Sequence, residues 1–277
     1  MLYQRELNID GIKRTYQINI PQRISAESNF AVLALHGAGG SSDISIYENS
    51  LDERSEQEGF IAVFPDALPA NHEKPADFKT NPRIWIAKPT DGNEPRDLTF
   101  IRALIINLKK EFGLQNVFVA GFSNGAIMTS YLAIKIPELI TAIAPVCGKL
   151  LPPEPNVKRI IPTKLIIGGS DPLFPLDGAV VKLHWGNDFY APPVKEYTEP
   201  WIAMVSKTRE ITHEENENME TVTYSNRETE FSIVTERNHG HIWPGGKSKL
   251  TYRIVGEPNR NIFANNIILD FFRKWKK

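Results

Sequence analysis

The chain contains a single cysteine, and its charges are nearly balanced. One thiol, Cys147, among 277 residues excludes an intrachain disulfide and any metal or redox site that needs two cysteines. It follows the apolar run 140–146, where a small buried hydrophobic residue is expected. The 32 basic and 33 acidic residues are well mixed and give a net charge of −1. Neither a nucleic acid nor an anionic membrane is therefore expected as a partner.

Long apolar segments are missing as well. The first residues lack the apolar core typical of a signal peptide, and no run is long enough to cross a bilayer. We expect a soluble protein, either cytoplasmic or, if the chain is the trimmed form of a secreted parent, extracellular. Repeats and low-complexity tracts are also absent, and 41% of the residues are hydrophobic. This composition favours one α/β domain over residues 1–277 and gives no indication of the oligomeric state.

The segments that are present alternate between strand and helix. Two alternating runs, 2–9 and 12–20, flank Asp10-Gly11, a strong two-residue hairpin signal because both turn positions need a positive φ. Continuous apolar runs, typical of strands buried on both faces, occur at 30–35, 60–64, 117–120, 140–146 and 164–167. Helical spacing is found at 44–58, 98–112 and 126–136. The pattern predicts an α/β fold with a doubly wound, mostly parallel sheet and an antiparallel N-terminal hairpin at one edge.

Two regions interrupt this alternation. Residues 65–95 are rich in proline, asparagine and charge, and they are predicted to form an ordered surface loop around Trp85. Residues 176–222 form a longer insertion that is rich in aromatic side chains. Within this insertion, 194–206 has helical spacing, whereas 208–220 is polar and is predicted to be a mobile crossover.

A G-x-S-x-G motif indicates a nucleophile. A β-branched run leads into Gly121-Phe122-Ser123-Asn124-Gly125, which continues into a helical pattern. In this strand, turn and helix context a nucleophilic serine is held above the edge of a sheet, with glycines where a Cβ would clash. The alternative is that Ser123 merely caps the following helix. The motif alone leaves both interpretations open.

A serine nucleophile needs a base, and the base needs a carboxylate that orients it. In doubly wound hydrolases these two residues follow the serine in the order acid, histidine, each on a loop after a strand. Asp171 follows the strand predicted at 164–167. His239 and His241 follow another predicted strand, 230–235. A metal shared by the two histidines is disfavoured by their proline- and glycine-rich setting and by the unfilled role of base, so no metal is expected.

An oxyanion hole needs two backbone donors. One is assigned to the N–H of Asn124, directly after the serine. The other is assigned to the N–H of Ala38, within the segment His36-Gly37-Ala38-Gly39-Gly40 after the first buried strand. His36 is expected to shape this loop rather than to act as a base.

Four segments are more specific in combination than any of them is alone. They are 36–40, 121–126, 168–171 and Gly240-His241-Ile242-Trp243-Pro244-Gly245-Gly246. Together they resemble the polyhydroxybutyrate depolymerase and feruloyl esterase branch of the α/β-hydrolases, over about residues 30–275. Some members of that branch have cysteine where this chain has Ala38, and the aromatic insertion is longer here.

The resemblance implies a set of site residues and a reaction. It implies that His241 rather than His239 is the base, and that Asp171 rather than Asp177 orients it. It also implies hydrolysis of carboxylic esters without a cofactor.

We therefore expect a serine carboxylesterase that works through an acyl-enzyme on feruloyl or acetyl esters of plant polysaccharides. A depolymerase of polyhydroxyalkanoates or other short polyesters, and a serine peptidase, are the alternatives. A non-enzymatic binding protein is disfavoured because all three residues of the expected triad are present. Trp243, Trp185 and Trp201 are predicted to contact the substrate, and with Phe189 and Tyr190 they could form an aromatic wall. The alternative is that most of these side chains pack the insertion onto the core.

Overall fold

The computed structural model describes residues 1–24, 29–89, 94–157, 160–182, 188–205 and 210–277. The strands in these residues are β1 (Leu2–Ile9), β2 (Ile12–Asn19), β3 (Phe30–Leu35), β4 (Ile61–Pro65), β5 (Asn116–Phe122), β6 (Ala142–Val146), β7 (Thr163–Gly168), β8 (Ala179–Val181), β9 (Phe189–Ala191), β10 (Glu210–Glu215), β11 (Met219–Ser225) and β12 (Glu230–Glu236). The helices are α1 (Ser42–Asn49), α2 (Leu51–Glu58), α3 (Arg96–Phe112), α4 (Asn124–Lys135), α5 (Val194–Met204), α6 (Tyr252–Val255) and α7 (Ala264–Trp275).

Ten of these strands form one sheet in the order β1-β2-β4-β3-β5-β6-β7-β12-β11-β10. The six strands from β4 to β12 in this order are parallel. The β1–β2 hairpin adds an antiparallel edge on one side, as its Asp-Gly turn predicts. The strands β11 and β10 add a second antiparallel edge on the other side. The predicted α/β-hydrolase arrangement is therefore confirmed, with one antiparallel extension more than expected.

The sheet has an apolar core on each face. Successive side chains of a strand point to opposite faces, so a strand covered on both sides must be apolar throughout. In β3, Ala31, Leu33 and Leu35 enter one core, and Phe30, Val32 and Ala34 enter the other. Helices α3, α4 and α5 cover the first core, and α7 covers the second. The continuous apolar runs of the sequence thus have a direct structural cause.

The helix predicted over 44–58 is interrupted. Ser50 lies in the left-handed region with φ 50°, and it ends α1 and begins α2. The side chain of Asn49 accepts a hydrogen bond from the N–H of Leu51 at 2.9 Å, which stabilises the break. A polar Asn-Ser pair that bonds to its own backbone competes with helical bonding.

The prediction of a mobile crossover over 208–220 was wrong. Residues 210–215 and 219–225 are the antiparallel strands β10 and β11 at the edge of the sheet. Every side chain of β10 is exposed, so neither face needs apolar residues and the usual strand pattern is missing. Positions 208 and 209 lie outside the described residues.

The other irregular regions lie over the carboxyl ends of the parallel strands. In the loop predicted over 65–95, Pro69 pairs with Arg83 and Asp77 with Asn81, as expected of an ordered loop, but Trp85 is only 2% exposed. Positions 90–93 lie outside the described residues. The aromatic insertion supplies the small antiparallel pair β8–β9, which we call the flap, and α5. None of the helices in the described residues combines the length and apolar character needed to cross a membrane.

Candidate active site

Ser123 lies on a strained turn between β5 and α4. Its φ of 55° and ψ of −115° fall in a region that non-glycine residues rarely adopt. The two glycines of the motif are required sterically. A Cβ at Gly121 would lie 2.3 Å from the carbonyl oxygen of Gly125, and one at Gly125 would lie 2.4 Å from that of Leu35. The turn leaves the Ser123 side chain partly exposed at the carboxyl edge of the sheet, as the motif predicts.

Asp171, His241 and Ser123 form a continuous hydrogen-bonded chain. The Nδ1 of His241 lies 2.7 Å from Oδ2 of Asp171, and its Nε2 lies 2.9 Å from Oγ of Ser123. The other carboxylate oxygen of Asp171 accepts hydrogen bonds from the N–H groups of Leu173 and Phe174 at 2.7 and 2.9 Å. A carboxylate held in this way keeps a proton on Nδ1, which leaves the lone pair of Nε2 for the serine hydroxyl.

The imidazole of His241 is fixed by apolar contacts as well as by Asp171. The ring centroids of Phe122 and Phe174 lie 4.9 and 5.6 Å from that of His241. The N–H of His241 donates to the carbonyl oxygen of Val255 in α6. Phe174 reaches this position because it lies three residues after Asp171, on the turn that the carboxylate itself stabilises.

The second histidine, His239, is buried away from the cleft. Its Nε2 donates to the carbonyl oxygen of Ile242 at 2.9 Å, and its Nδ1 accepts the N–H of Asn259 at 2.9 Å. Burial lowers the pKa of His239, which keeps the ring neutral. The carboxyl of Glu236 lies 3.6 Å from this Nδ1 but makes no hydrogen bond, and burial raises its pKa to about 9. The pair is therefore neutral rather than an ion pair.

Both residues whose N–H groups are assigned to the oxyanion hole, Ala38 and Asn124, line the cleft beside Ser123. The side chain of Asn124 has a role that the sequence did not indicate. It holds both the N–H and the carbonyl of Trp85, at 2.7 and 3.2 Å, and the indole of Trp85 donates to the carbonyl of His36 at 3.0 Å. Trp85 thus ties the serine turn to the loop that carries Ala38.

His36 has the structural role expected from the sequence. It is 1% exposed, its Nδ1 bonds to the carbonyl of Gly37 at 2.6 Å, and its Nε2 accepts the N–H of Ala67 at 3.1 Å. Burial lowers its pKa to about 4, so the ring stays neutral and keeps the loop in shape.

Ser123 and His241, two members of the hydrogen-bonded chain, line a cleft of about 550 Å³. Its walls are mostly apolar, and their apolar side chains are Ile44, Phe78, Phe122, Ile127, Leu173, Phe174, Phe189 and Leu250. One acidic and one basic residue, Glu48 and Lys249, also line it. Phe189 belongs to the predicted aromatic wall and does line the cleft. Sequence patterns did not single out Phe78 and Phe174, because they lie in the irregular segments around residue 78 and after Asp171.

The predicted tryptophan wall is not formed by Trp243 or Trp201. Trp243 is 2% exposed, and its indole donates to the side chain of Asn265 on α7 at 3.0 Å. Trp201 is 1% exposed, stacks on Phe231 and donates to the carbonyl of Leu151 at 2.8 Å. Both therefore pack the core, since each buried indole finds its hydrogen-bond partner there. Trp185 lies outside the described residues.

Cys147 is buried under the loop that carries His241. Its backbone has a φ of 48°, and its thiol lies 3.4 Å from the carbonyl oxygen of Ile242. Burial raises the pKa of this thiol well above its usual value. The expected role as a small buried residue is confirmed.

Comparisons with known proteins find esterases. No protein-family model matches the chain. It is 24% identical, over an alignment of 296 positions, to the protein named "Putative esterase NocK" from Nocardia uniformis subsp. tsuyamanensis, covering 96% of this chain and 81% of that one. It is 23% identical over 171 positions to the "Bifunctional acetylxylan esterase/xylanase XynS20E" of Neocallimastix patriciarum, covering 61% of this chain but only 22% of that one.

Solved structures confirm the fold. The acetyl xylan esterase from Aspergillus awamori superposes with a TM-score of 0.66 at 16% identity, covering 98% of this chain and 99% of that one. Native pOPH superposes with a TM-score of 0.58 at 14% identity, covering 87% and 81%. These neighbours share the α/β-hydrolase fold. The narrower polyhydroxybutyrate depolymerase and feruloyl esterase branch stays a prediction.

Proposed function

We propose that the chain is a serine-dependent carboxylic ester hydrolase that works through an acyl-enzyme. The observation that carries the proposal is the unbroken hydrogen-bonded chain from Asp171 through His241 to Ser123, at 2.7 and 2.9 Å, at the end of an apolar cleft. Similarity to proteins named esterases supports hydrolysis of an ester bond. In this proposal Ser123 is the nucleophile, His241 the general base and Asp171 the residue that orients it.

The geometry supports a two-step reaction. Oγ of Ser123 attacks the ester carbonyl carbon while Nε2 of His241 takes its proton. The N–H groups of Ala38 and Asn124 bind the oxyanion, and each such donor contributes roughly 3 kcal/mol in comparable sites. The tetrahedral intermediate collapses as His241 protonates the departing alcohol. His241 then deprotonates a water, which attacks the acyl-enzyme and releases the acid, and the proton returns to Ser123.

The cleft supports a substrate with an aromatic or extended apolar part. Four phenylalanines line it, Phe78, Phe122, Phe174 and Phe189. An acetyl group would fill little of about 550 Å³, whereas a feruloyl-sized group would bury an aromatic ring among these side chains. Among the expected substrates we therefore propose the feruloyl-type ester over the acetyl ester.

A panel of four substrates tests the proposal. Methyl ferulate, acetylated xylan, hydroxybutyrate oligomers and a peptide are compared, with the Ser123→Ala variant as the control for each. We expect hydrolysis of esters but not of the peptide, fastest for methyl ferulate, and covalent labelling of Ser123 by a fluorophosphonate. Hydrolysis that persists in a folded Ser123→Ala variant would contradict the assignment of the nucleophile.

A further inference from the structure

One charged side chain on the wall of the cleft has no role in the proposed chemistry. Glu48 lies in the last turn of α1, four residues after Ile44, so both side chains lie on the same face of the helix. Both line the cleft that contains Ser123 and His241. Helix α1 begins shortly after the Ala38 loop. Glu48 is six residues beyond Ser42, the first residue of α1, and therefore lies about 9 Å further along the helix axis.

The carboxyl of Glu48 has no partner of its own within the described residues. Burial raises the pKa of this carboxyl to about 7, although the charge of Lys249 lowers it. The ammonium group of Lys249 lies 3.9 Å from the centroid of the Tyr47 ring and forms no ion pair with Glu48. The carboxyl is thus open to a ligand in the cleft.

Glu48 is unfavourable for the fold at this position. A negative charge in the last turn of a helix opposes the helix dipole, and partial burial adds a desolvation penalty. The backbone is fixed without the carboxyl, because the carbonyl oxygen of Glu48 accepts the N–H of Lys247 at 3.0 Å. An apolar side chain at this position would stabilise the helix at least as well as the glutamate does. Residues that break such local rules are found preferentially at functional sites.

We propose that Glu48 is a specificity-determining residue that accepts a hydrogen bond from a hydroxyl group of an otherwise apolar ester substrate. The proposal rests on the proposed ester hydrolysis. Lys249 disfavours a cationic substrate group in the same cleft, and Glu48 itself disfavours an anionic one. A neutral hydroxyl avoids both repulsions and satisfies the carboxyl, while the ring or chain that bears it contacts the phenylalanines.

Paired substrates test the proposal. Methyl 3-phenylpropanoate is compared with its 3-hydroxyphenyl and 4-hydroxyphenyl analogues, in which two saturated carbons insulate the carbonyl from the hydroxyl. The kcat/KM ratio of the better hydroxylated ester to the parent ester is the readout, because changes in the triad affect both esters alike. We expect a ratio of about ten or more, the effect of one hydrogen bond to a charged group.

The variants locate the preference. The ratio should fall towards one in Glu48→Leu and partly in Glu48→Gln. It should stay unchanged in Glu53→Leu, an exposed glutamate on α2 that serves as the matched control. Lys249→Met removes a charge that lowers the pKa of Glu48, so it should shift the pH dependence upwards but keep the preference at high pH, where Glu48 is ionised. If Glu48→Leu fails to fold, the isosteric Glu48→Gln decides.

In the wild type the ratio should rise between pH 6 and 8 as Glu48 loses its proton, and in Glu48→Gln it should stay flat. His241 and Lys249 face the same cleft and could also titrate. If Glu48 is the group responsible, the kcat/KM ratio of Lys249→Met must rise with pH as well.

Three results would overturn the inference. One is an equal ratio in the wild type and both Glu48 variants. Another is loss of the preference in Lys249→Met instead. The third is faster hydrolysis of an aminomethyl analogue than of either hydroxylated ester, which would indicate a cation site. Failure of the proposed function is distinguishable, because neither ester would then be hydrolysed and Ser123 would not react with a fluorophosphonate.

Discussion

At Ser123 the backbone itself contributes to the site. Its φ of 55° and ψ of −115° are unfavourable for any residue with a Cβ, and strain of this kind costs roughly 1–3 kcal/mol. The strain is held by the close approach of β3, β5 and α4 around the two glycines of the motif. The conformation of residue 123 therefore follows from its surroundings and not from the serine side chain.

Substitutions at this position should separate strain from chemistry. Both Ser123→Ala and Ser123→Gly remove the hydroxyl, so turnover should fall by several orders of magnitude in each. Glycine adopts the native φ without strain, so we expect Ser123→Gly to unfold at a higher urea concentration than Ser123→Ala, by about 1 kcal/mol in the free energy of unfolding. Equal or lower stability of the glycine variant would contradict a strained turn.

Asp171→Asn tests the orienting carboxylate. The amide oxygen can keep the hydrogen bonds from residues 173 and 174, but the amide N–H would face Nδ1 of His241 and favour the wrong tautomer. We expect kcat to fall by roughly 10⁴-fold with the fold retained. Asp177→Asn, at an exposed position on the same segment, is the matched control and should leave kcat unchanged. A similar loss in both variants would remove Asp171 from the mechanism.

Glu236 makes the stability of the protein depend on pH. The folded state keeps the proton of this carboxyl up to about pH 9, whereas the unfolded chain loses it near the ordinary value of 4.5. Between these values the folded state binds more protons, so the contribution of Glu236 to stability is lost as pH rises. We expect the stability of Glu236→Gln relative to the wild type to increase steadily from pH 5 to pH 9 in urea titrations. A constant difference would show that burial does not perturb this group.

The sequence located the catalytic candidates better than the substrate contacts. Ser123 and Asp171 could be found because each lies at a fixed place after a parallel strand, and the sheet brings these ends together. The same rule left His239 and His241 both open, and the choice of His241 rested on the family resemblance. The tryptophans could not be placed in the same way. Trp243 is only two residues from His241, but on an irregular loop two residues suffice to turn a side chain from the cleft into the core.

At the scale of elements, the irregular loop around Trp85 is joined to the regular α4. Asn124, the first residue of α4, holds the backbone of Trp85 by two hydrogen bonds, and Trp85 in turn holds the carbonyl of His36. The spacing between the two proposed oxyanion donors, the N–H groups of Ala38 and Asn124, thus depends on the loop around Trp85, which carries neither of them. Nothing in the pattern of 65–95 indicated this, since the contact spans about 40 residues of chain, Trp85 to Asn124.

Asn124→Ala should release this connection and keep the backbone donor. A displacement of catalytic groups by about 1 Å can cost up to about 100-fold in rate. We expect kcat to fall between about 10- and 100-fold with a smaller change in KM, measured with methyl ferulate. Asn261→Ala, an exposed asparagine, serves as the control. An unchanged kcat in Asn124→Ala would show that the loop is positioned without Trp85.

Other differences between expectation and structure also arise at element boundaries. The predicted strands of the parallel sheet agree with the structure within a few residues, because burial on both faces imposes an apolar run. The exposed β10 and the half-buried β11 are not under that constraint, so their sequences lack the apolar run that predicts a strand. Whether a polar segment pairs with the edge of a sheet is decided by the neighbouring strand, here β12.

At the scale of the whole molecule, the burial of the strands decreases from the centre of the sheet towards its β10 edge. The strands β3, β5 and β6 are buried on both faces, whereas β10 is exposed along its whole length. Amides open more readily where few apolar contacts cover them. The two antiparallel edges should therefore not share the stability of the parallel centre.

Hydrogen exchange followed by mass spectrometry tests this gradient. We expect amides of β10 to exchange within minutes and those of β3 and β5 to exchange only on global unfolding, with β12 between them. Protection of β10 equal to that of β5 would mean that something else covers this edge in solution, such as a second copy of the chain.

The buried Cys147 makes the protein convenient for site-specific labelling. Cys147 is the one cysteine of the chain, it is buried, and its thiol has a raised pKa. We therefore expect this thiol not to react with maleimides under native conditions. A cysteine introduced at Tyr190, which is 59% exposed on the flap, would then be the sole reactive thiol. A fluorophore attached there would report on the flap beside the cleft, and the native Cys147 would not have to be removed first.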